Sequence, residues 1–370
     1  MAALCAKINA AALCSRASQL RGGIPCTVDV SGQRLSSAMG GQNCHADIVF
    51  DDGVTWIARF RREGVSSPPK AIGDYDLRSE AATILFLQSQ TRVPVPQVFG
   101  WAAATDPDND VGVGYILMEK LVGKPVHWPQ LSASEKEKVM QQLADVYLEI
   151  ERHPFDRDPT KFGGIAFPPM FVEGRPLGPF SSSAEAARAI VKSYTDKVWN
   201  GEIGVNNVED ILLAHRFRFD LIDDVWPENG QQPGGETFYL RHTDDKGDHI
   251  LVDELFNIVG IIDWEWAQTT SKEDAFCSPC MLWPVGLFYD GSNELSEEEV
   301  RFAEMFRERG RDDLADYVVR GRKVQRFFFG LGPLMDDQSV LKGLLTGVRQ
   351  AFGFGDDENW EKWRAKALGK

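Results

Sequence analysis

The residues of this sequence that best fit catalytic chemistry lie in one 22-residue stretch, from His242 to Asp263. Two β-branched apolar runs, 250–252 and 258–262, are separated there by five residues with turn character, which predicts an antiparallel β-hairpin. Antiparallel pairing of these runs returns Asp263 to the loop that holds Asp244. Two loop carboxylates at one end of a hairpin fit phosphoryl transfer, with one near the attacking hydroxyl and the other holding Mg²⁺ on nucleotide phosphates. An edge hairpin with solvated aspartates is the alternative interpretation of the same spacing.

The register of this hairpin follows from the length of its turn. If Asp253 pairs with Ile258 across a four-residue loop, His249 lies opposite Ile262. A shift of one residue would move every side chain of a strand to the other face, so the register decides what stands beside the carboxylates.

Composition narrows the class of protein. The chain has 370 residues, of which 43% are hydrophobic and 11% aromatic, enough for two domains with a packed core. A formal charge of −15 and a pI near 4.9 argue against nucleic acid and anionic membranes as main partners. No apolar run approaches the roughly 20 residues that span a bilayer. Six scattered cysteines are typical of reduced thiols, so we expect a cytoplasmic protein.

The first 27 residues have two possible interpretations. The spacing of Leu4, Ile8, Leu13 and Leu20 is that of an N-terminal structural helix. A segment rich in Ala and Ser, with basic residues and no Asp or Glu, is also typical of a mitochondrial presequence. The sequence leaves both open.

The part of the chain before residue 122 predicts a small mixed lobe. Its strands are predicted at 34–39, 44–50, 55–60, 97–103 and 113–121, with one amphipathic helix at 76–90 before the fourth strand. Gly40 and Gly41 lie in the first strand-to-strand turn, where they either bring backbone N–H groups to a phosphate or simply make a tight turn. The rest of the chain is predicted to be mainly helical apart from the hairpin.

This layout is that of the protein-kinase-like enzymes. The motifs that carry the resemblance are, in chain order, Glu80-Ala-Ala-Thr83, Val93-Pro-Val-Pro96, Ile116-Leu-Met-Glu119, the His242 loop and Gly260-Ile-Ile-Asp263-Trp-Glu265. Over residues 30–335 or so, the chain resembles the aminoglycoside phosphotransferase and choline kinase family, and within it a fungal phosphotransferase-like branch. The resemblance implies an α+β, bilobal kinase-like fold. Its parts would be an N-terminal helix (1–27), an N-lobe with a five-stranded antiparallel sheet and one helix (28–121), and a helical C-lobe with the catalytic loop and hairpin (122–370).

The resemblance also implies a role for each matching residue. Asp244 matches the catalytic Asp of a His-x-Asp loop, and Asp263 matches the metal-binding Asp that follows the hairpin. Arg59 occupies the strand position of the basic residue that contacts nucleotide phosphates, and Glu80 matches the helix glutamate that pairs with it. Arg61, two residues further on the same strand face, is the alternative to Arg59.

The same resemblance implies ATP and Mg²⁺ as cofactors. Met118, Glu119 and Lys120 would form the hinge, whose backbone groups bind adenine. The backbone of Gly40 and Gly41 would then lie near the phosphates.

The catalytic loop departs from the family pattern at several positions. His249 stands where most members have Asn as an oxygen ligand for Mg²⁺, and imidazole is a poor substitute because Mg²⁺ prefers hard oxygen donors. Asp248 or water would then complete the metal site. His242 is expected to hold the loop through its ring nitrogens, with proton transfer as the alternative.

These observations predict an enzyme that moves the γ-phosphoryl group of ATP to a hydroxyl of a small molecule. Acidic loops at 220–224 and 265–274 favour a cationic amine or amino alcohol as the acceptor. The alternative is a pseudokinase, a nucleotide-binding or scaffolding protein in which His249 has reduced or abolished transfer. The oligomeric state does not follow from the sequence.

Overall fold

The computed structural model describes residues 2–62, 69–155, 171–172, 175–178, 180–203, 206–227, 237–329, 337–354 and 360–369. The chain divides into two compact units. The first, which we call the sheet unit, comprises Met1–Val126, Ala166–Pro176 and Asp248–Ala267; the second, the helical unit, comprises His127–Ile165, Leu177–Gly247 and Gln268–Lys370.

The strands are numbered here in chain order. They are β1 Cys26–Val28, β2 Asn43–Phe50, β3 Thr55–Arg61, β4 Val98–Ala102, β5 Tyr115–Glu119, β6 Lys124–Pro125, β7 Phe171–Val172, β8 Arg175–Pro176, β9 Tyr239–Arg241, β10 Ile250–Val252, β11 Ile258–Ile261 and β12 Gln268–Thr270.

The helices are numbered in the same way. They are α1 Ala2–Lys7, α2 Ala10–Leu20, α3 Gly32–Ser37, α4 Lys70–Gln90, α5 Ala133–Glu151, α6 Ser183–Trp199, α7 Val208–Asp220, α8 Ile222–Val225, α9 Lys272–Ala275, α10 Val285–Tyr289, α11 Glu297–Glu308, α12 Asp312–Arg320, α13 Arg322–Phe328, α14 Gln338–Ala351 and α15 Trp360–Ala367.

The main sheet has five antiparallel strands in the order β1-β2-β3-β5-β4, which confirms the predicted five-stranded sheet. The predicted strand at 34–39 is wrong, because that segment forms α3. The Ser31 hydroxyl accepts a hydrogen bond from the Arg34 backbone N–H at 3.3 Å and so caps this helix. The missing fifth strand is β1, which pairs with β2.

The predicted hairpin is formed by β10 and β11. Ile250 pairs with Ile261, and the Ile262 N–H donates to the His249 carbonyl at 2.9 Å, so the predicted register is confirmed at this end. At the other end the register shifts at a bulge, and the predicted partner of Asp253 is wrong. Its carboxylate accepts hydrogen bonds from backbone N–H groups inside the turn, which tightens the loop.

The hairpin belongs to the sheet unit, whereas the predicted boundary at residue 121 grouped it with the helical part. The reason is local pairing: β10 also pairs with β6, which directly follows the main sheet in the chain. Gly260 of β11 allows the hairpin to pack against Leu121, because a Cβ at position 260 would lie only 2.2 Å from a side-chain carbon of Leu121.

The N-terminal helices pack into the core of the sheet unit. Leu4, Ile8, Leu13 and Ala17 are buried in one cluster with apolar residues of β2 and β3. This burial is what the structural-helix interpretation requires. Among the helices that the structure describes, none is long and apolar enough to cross a membrane.

In the helical unit, α11 packs against α5 and α12, and α6 packs against α7. Helices α5 and α11 both begin with a capping box, formed by Ser132 with Glu135 and by Ser296 with Glu299. Strands β9 and β12 pair with each other, so the loop that follows β9 starts from a fixed point.

Candidate functional site

The centre of the candidate site is a buried ion pair between a strand and a helix of the sheet unit. Arg59 of β3 is 8% exposed, Glu80 of α4 is 4% exposed, and Arg59 Nε lies 3.1 Å from Glu80 Oε1. Arg59 Nη2 also donates to Asp263 Oδ1 at 2.5 Å. The structure therefore brings together three of the predicted site residues.

Asp263 has an uncommon backbone conformation. Its φ of 68° and ψ of 45° lie in the left-handed region, which costs a non-glycine residue about 1–2 kcal/mol. Neighbouring contacts hold it there: the Ile261 N–H donates to the Pro94 carbonyl at 2.7 Å, and the Trp264 indole N–H donates to the Ile261 carbonyl at 2.9 Å. Strained residues that the surroundings hold in place are typical of functional sites.

The two arginines of β3 have separate helix partners, which bears on the choice between them. Arg61 lies 3.3 Å from Asp76, one turn before Glu80 in α4, and 3.1 Å from Glu265. Arg59 is the arginine that contacts both Glu80 and Asp263. Its contacts are those that the predicted phosphate-binding residue requires.

Burial dominates the electrostatics of this cluster. It raises the pKa of Glu80 to about 7 and that of Asp76 to about 7, although Arg59 and Arg61 oppose the shifts. Burial and the adjacent Arg59 lower the pKa of His45 to about 4, so this histidine is neutral. Its Nε2 lies 3.4 Å from Arg59 Nη1.

The glycine turn lies between α3 and β2. The Gly40 N–H donates to the Asn43 carbonyl at 2.8 Å, and Arg62 donates to the Gly40 and Gly41 carbonyls. Neither glycine has a positive φ, and a Cβ on Gly41 would have no atom within 4 Å. Packing within the chain therefore does not require glycine at position 41, where the backbone is open to a close approach.

The predicted hinge follows the buried strand β5. Met118 is buried between its neighbours in the sheet, and the Glu119 N–H donates to the Gln97 carbonyl at 2.8 Å. Lys120 Nζ lies 2.9 Å from Asp47 of β2. The Gln97 N–H also donates to Glu119 Oε2 at 3.2 Å, so these side chains are used within the sheet unit. A contact of their backbone with adenine stays a prediction.

The predicted metal ligands differ in how well they suit Mg²⁺. Asp263 presents a side chain that is 39% exposed and offers hard oxygens, whereas His249 is buried and offers nitrogen. Asp248 is exposed. Within the described ranges no three His, Cys, Asp or Glu side chains are grouped as ready metal ligands. Because Mg²⁺ is commonly bound by one or two carboxylates plus phosphates and water, the chemistry of Asp263 fits the role.

The predicted catalytic residue, Asp244, lies in the helical unit on the loop after β9. Its side chain is 22% exposed, and Lys246 Nζ lies 3.1 Å from Asp244 Oδ1. The next residue, Asp245, points into the protein, where burial raises its carboxyl pKa to about 6. The structure gives Asp245 an anchoring position in this loop.

Two backbone hydrogen bonds fix this anchor. The Cys280 N–H donates to Asp245 Oδ1 and the Met281 N–H donates to the Asp245 carbonyl, both at 3.0 Å. Arg241 Nη2 lies 3.7 Å from the same carboxylate and also binds Asp274. The sequence signal for this anchor is an arginine four residues before a second loop aspartate.

Comparisons with known proteins identify the family and the fold. Residues 48–270, more than half of the chain, match the model of the phosphotransferase enzyme family, APH. The chain belongs to this family. The structure resembles ADP-bound aminoglycoside phosphotransferase APH(2″)-Ib, at 12% identity over 93% of this chain and 99% of that one, with a TM-score of 0.53. It also resembles an ethanolamine kinase of Plasmodium vivax, at 10% identity over 89% of this chain and 82% of that one, with a TM-score of 0.51.

These identities establish the kinase-like fold alone. In sequence, the chain is 36% identical over 113 residues to a subtelomeric hrmA-associated cluster protein of Aspergillus fumigatus, found in two strains. The match covers 29% of this chain, and the chain spans about a fifth (21%) of the length of those relatives.

Proposed function

We propose that this chain is a small-molecule kinase that transfers the γ-phosphoryl group of ATP to a hydroxyl, with Mg²⁺ as the second cofactor. The observation that supports the proposal most is the buried Arg59–Glu80 pair in contact with Asp263. Membership of the phosphotransferase family supports the class of reaction.

Arg59 would bind the nucleotide phosphates. Its guanidinium keeps its charge and can hold two phosphate oxygens at once. Glu80 restricts the rotamer of Arg59 through the 3.1 Å contact, so less conformational freedom is lost when phosphate binds. The buried setting of this pair strengthens its interaction with an anion.

Asp263 would hold Mg²⁺ through its carboxylate oxygens. Bound there, the ion would offset negative charge on the transferred phosphoryl group. Asp263 contributes an oxygen whose position is set by a strained backbone that is fixed on both sides. Such preorganisation is what electrostatic catalysis requires.

Asp244 would orient the acceptor hydroxyl and receive its proton late in the reaction. In phosphoryl transfer, positioning and charge neutralisation supply most of the rate enhancement. Asp245 and Arg241 would keep this loop in place through their contacts with each other and with the Cys280 N–H. Lys246, 3.1 Å from Asp244, offsets its charge in the free enzyme.

The acidic loops that favoured a cationic acceptor are less available than the sequence predicts. Four of their carboxylates each pair with an arginine: Asp220 with Arg216, Asp223 with Arg188, Glu265 with Arg61, and Asp274 with Arg241. Paired carboxylates attract an amine weakly. We therefore propose that the acceptor is a hydroxyl of a small molecule. Whether that molecule is cationic or neutral is to be tested.

The second candidate function is a pseudokinase that binds nucleotide without transferring phosphate. The observation that favours it is His249, which is buried and offers Mg²⁺ a nitrogen at the position of the usual Asn. Both candidates require a nucleotide site at Arg59 and Asp263, and they differ only in turnover.

Transfer of labelled phosphate separates the two candidates. Purified protein is incubated with γ-labelled ATP, Mg²⁺ and a panel of neutral and cationic hydroxyl compounds that includes amino alcohols and aminoglycosides. A kinase labels at least one acceptor, and Asp244→Ala reduces the rate by about 10²–10⁴ while nucleotide binding is kept. Binding without label in any acceptor, in the wild type and in a variant with Asn at 249, supports the pseudokinase.

A further inference from the structure

Glu265 is a buried carboxylate that the proposed reaction does not use. It is 6% exposed and lies two residues after Asp263, in the short 3₁₀ turn Trp264–Trp266. Its Oε2 accepts hydrogen bonds from Asn43 Nδ2 at 2.8 Å and from Arg61 Nη1 at 3.1 Å. Arg59 Nη2 lies further away, at 3.6 Å. The known contacts of this carboxylate are therefore with protein donors.

These contacts fasten the turn after Asp263 to two strand ends. Asn43 begins β2 and Arg61 ends β3, and the two residues are direct partners in the sheet. Asn43 also closes the glycine turn, since its carbonyl accepts from the Gly40 N–H. One carboxylate thus links the segment of Asp263 to the segment of the glycines.

Helix α4 joins the same network through Arg61. Asp76 lies 3.3 Å from Arg61 Nη2, and its side chain is almost fully buried. Arg61 is consequently held from two sides, by a helix carboxylate and by Glu265. A guanidinium held in this way fixes the position of the Glu265 carboxylate.

The side chains of Asp263 and Glu265 share one neighbour, since Arg59 Nη2 lies 2.5 Å from Asp263 Oδ1 and 3.6 Å from Glu265 Oε2. A metal ion that binds the Asp263 carboxylate competes with Arg59 for the same oxygens, but it leaves the contacts of Glu265 with Asn43 and Arg61 intact. The left-handed conformation of Asp263 needs support from its surroundings, and the side chain of Glu265 is bound by Asn43 and Arg61 two residues to its C-terminal side.

We propose that Glu265, held by Arg61 and Asn43, is a positioning residue that keeps Asp263 in its metal-binding conformation. This inference rests on the proposed function, from which it takes MgATP as the ligand. Arg61 accordingly holds the segment that contains Asp263, and Arg59 binds the phosphates.

The experiment compares Glu265→Gln, Arg61→Met and the double variant with the wild type. Removing an outer partner of a metal ligand typically weakens metal binding by about 10–100-fold. We expect each variant to need at least about tenfold more Mg²⁺ for half-maximal stabilisation by ATP, with the affinity for metal-free ATP changed less than about twofold. The double variant should be no worse than the single variants, because the two residues act as one unit.

A second readout requires no nucleotide. Hydrogen exchange of the backbone from Asp263 to Ala267 should be faster in both single variants than in the wild type. The matched control is Arg78→Met, which removes another arginine–carboxylate pair of α4, the exposed one with Asp106, and should leave both readouts unchanged.

Several results would overturn the proposal. Unchanged exchange in both variants would show that Glu265 does not hold the loop. A weakened Mg²⁺ response in Glu265→Gln but not in Arg61→Met would make Glu265 a direct metal ligand. Faster exchange in a protein that never responds to MgATP would support the loop contact and reject the nucleotide function, so the two failures are distinguishable.

Discussion

Arg59 Nε lies 3.1 Å from Glu80 Oε1, and both side chains are buried in the sheet unit. A buried ion pair is weak evidence for stability, because removing two charges from water costs about as much as their attraction returns. The pair is also in contact with Asp263, so we assign it to the proposed binding of an anion and a metal.

Arg59→Met should destabilise the protein. The substitution leaves Glu80 buried without its partner, and breaking a buried pair costs about 3–5 kcal/mol. Urea denaturation monitored by circular dichroism measures this loss. Arg78→Met, at an exposed pair, should cost no more than about 1 kcal/mol. Equal losses in the two variants would contradict the assignment of Arg59 to a buried, charge-dependent role.

Stability should fall as the pH rises from about 4 to about 7. Burial raises the pKa of Asp76 to about 7, and an acid with a raised folded-state pKa stabilises the fold fully only below its unfolded pKa. Asp76→Asn should therefore flatten the dependence of Tm on pH over this range. Parallel curves for Asp76→Asn and the wild type would be the contrary result.

Gly41→Ala separates the structural role of the glycine turn from a ligand-binding role. The added Cβ meets no atom within 4 Å and the φ is not positive, so stability should be unchanged or rise by about 0.4–1 kcal/mol. Affinity for ATP should fall if the backbone approaches a phosphate. Gly53→Ala is the matched control. Gly53 lies in the β2–β3 turn, and its φ of 84° is strained for alanine, so this substitution should lower the stability of the protein. Unchanged ATP affinity in Gly41→Ala would leave the glycine pair as a tight turn.

His249→Asn tests the departure of the catalytic loop from the family pattern. An amide oxygen suits Mg²⁺ better than an imidazole nitrogen, so we expect the variant to reach half-maximal activity at a lower Mg²⁺ concentration. Phosphate transfer measured across a Mg²⁺ titration provides the readout. A variant that folds like the wild type but shows no gain would mean that position 249 takes no part in metal binding.

The sequence predicts well what depends on local pattern. The alternation of β2 and β3 and the apolar runs of the hairpin give the strands, and the register near His249 is confirmed. The pairing at the turn end was predicted wrongly, because a bulge between Leu251 and Val252 shifts the register there. Local pattern misled at 34–39, where the cap at Ser31 was missed and a helix was predicted as a strand.

Contacts between distant parts of the chain were harder to predict. The bonds of Glu265 with Arg61 and Asn43 join residues 204 and 222 positions apart, and no sequence period encodes such contacts. Family resemblance placed Arg59 and Glu80 because their spacing is part of a motif, whereas the Arg61–Asp76–Glu265 network needed the structure.

The most direct test of the central claim is the melting temperature of the wild type and of Asp263→Asn, each titrated with ATP at fixed Mg²⁺ and again with EDTA. A ligand at one hundred times its dissociation constant stabilises a protein by about 2.7 kcal/mol, which shifts the Tm by several degrees. We predict a Mg²⁺-dependent shift in the wild type that Asp263→Asn lacks. No shift in the wild type, with or without metal, would contradict a metal–nucleotide site at Arg59, Glu80 and Asp263.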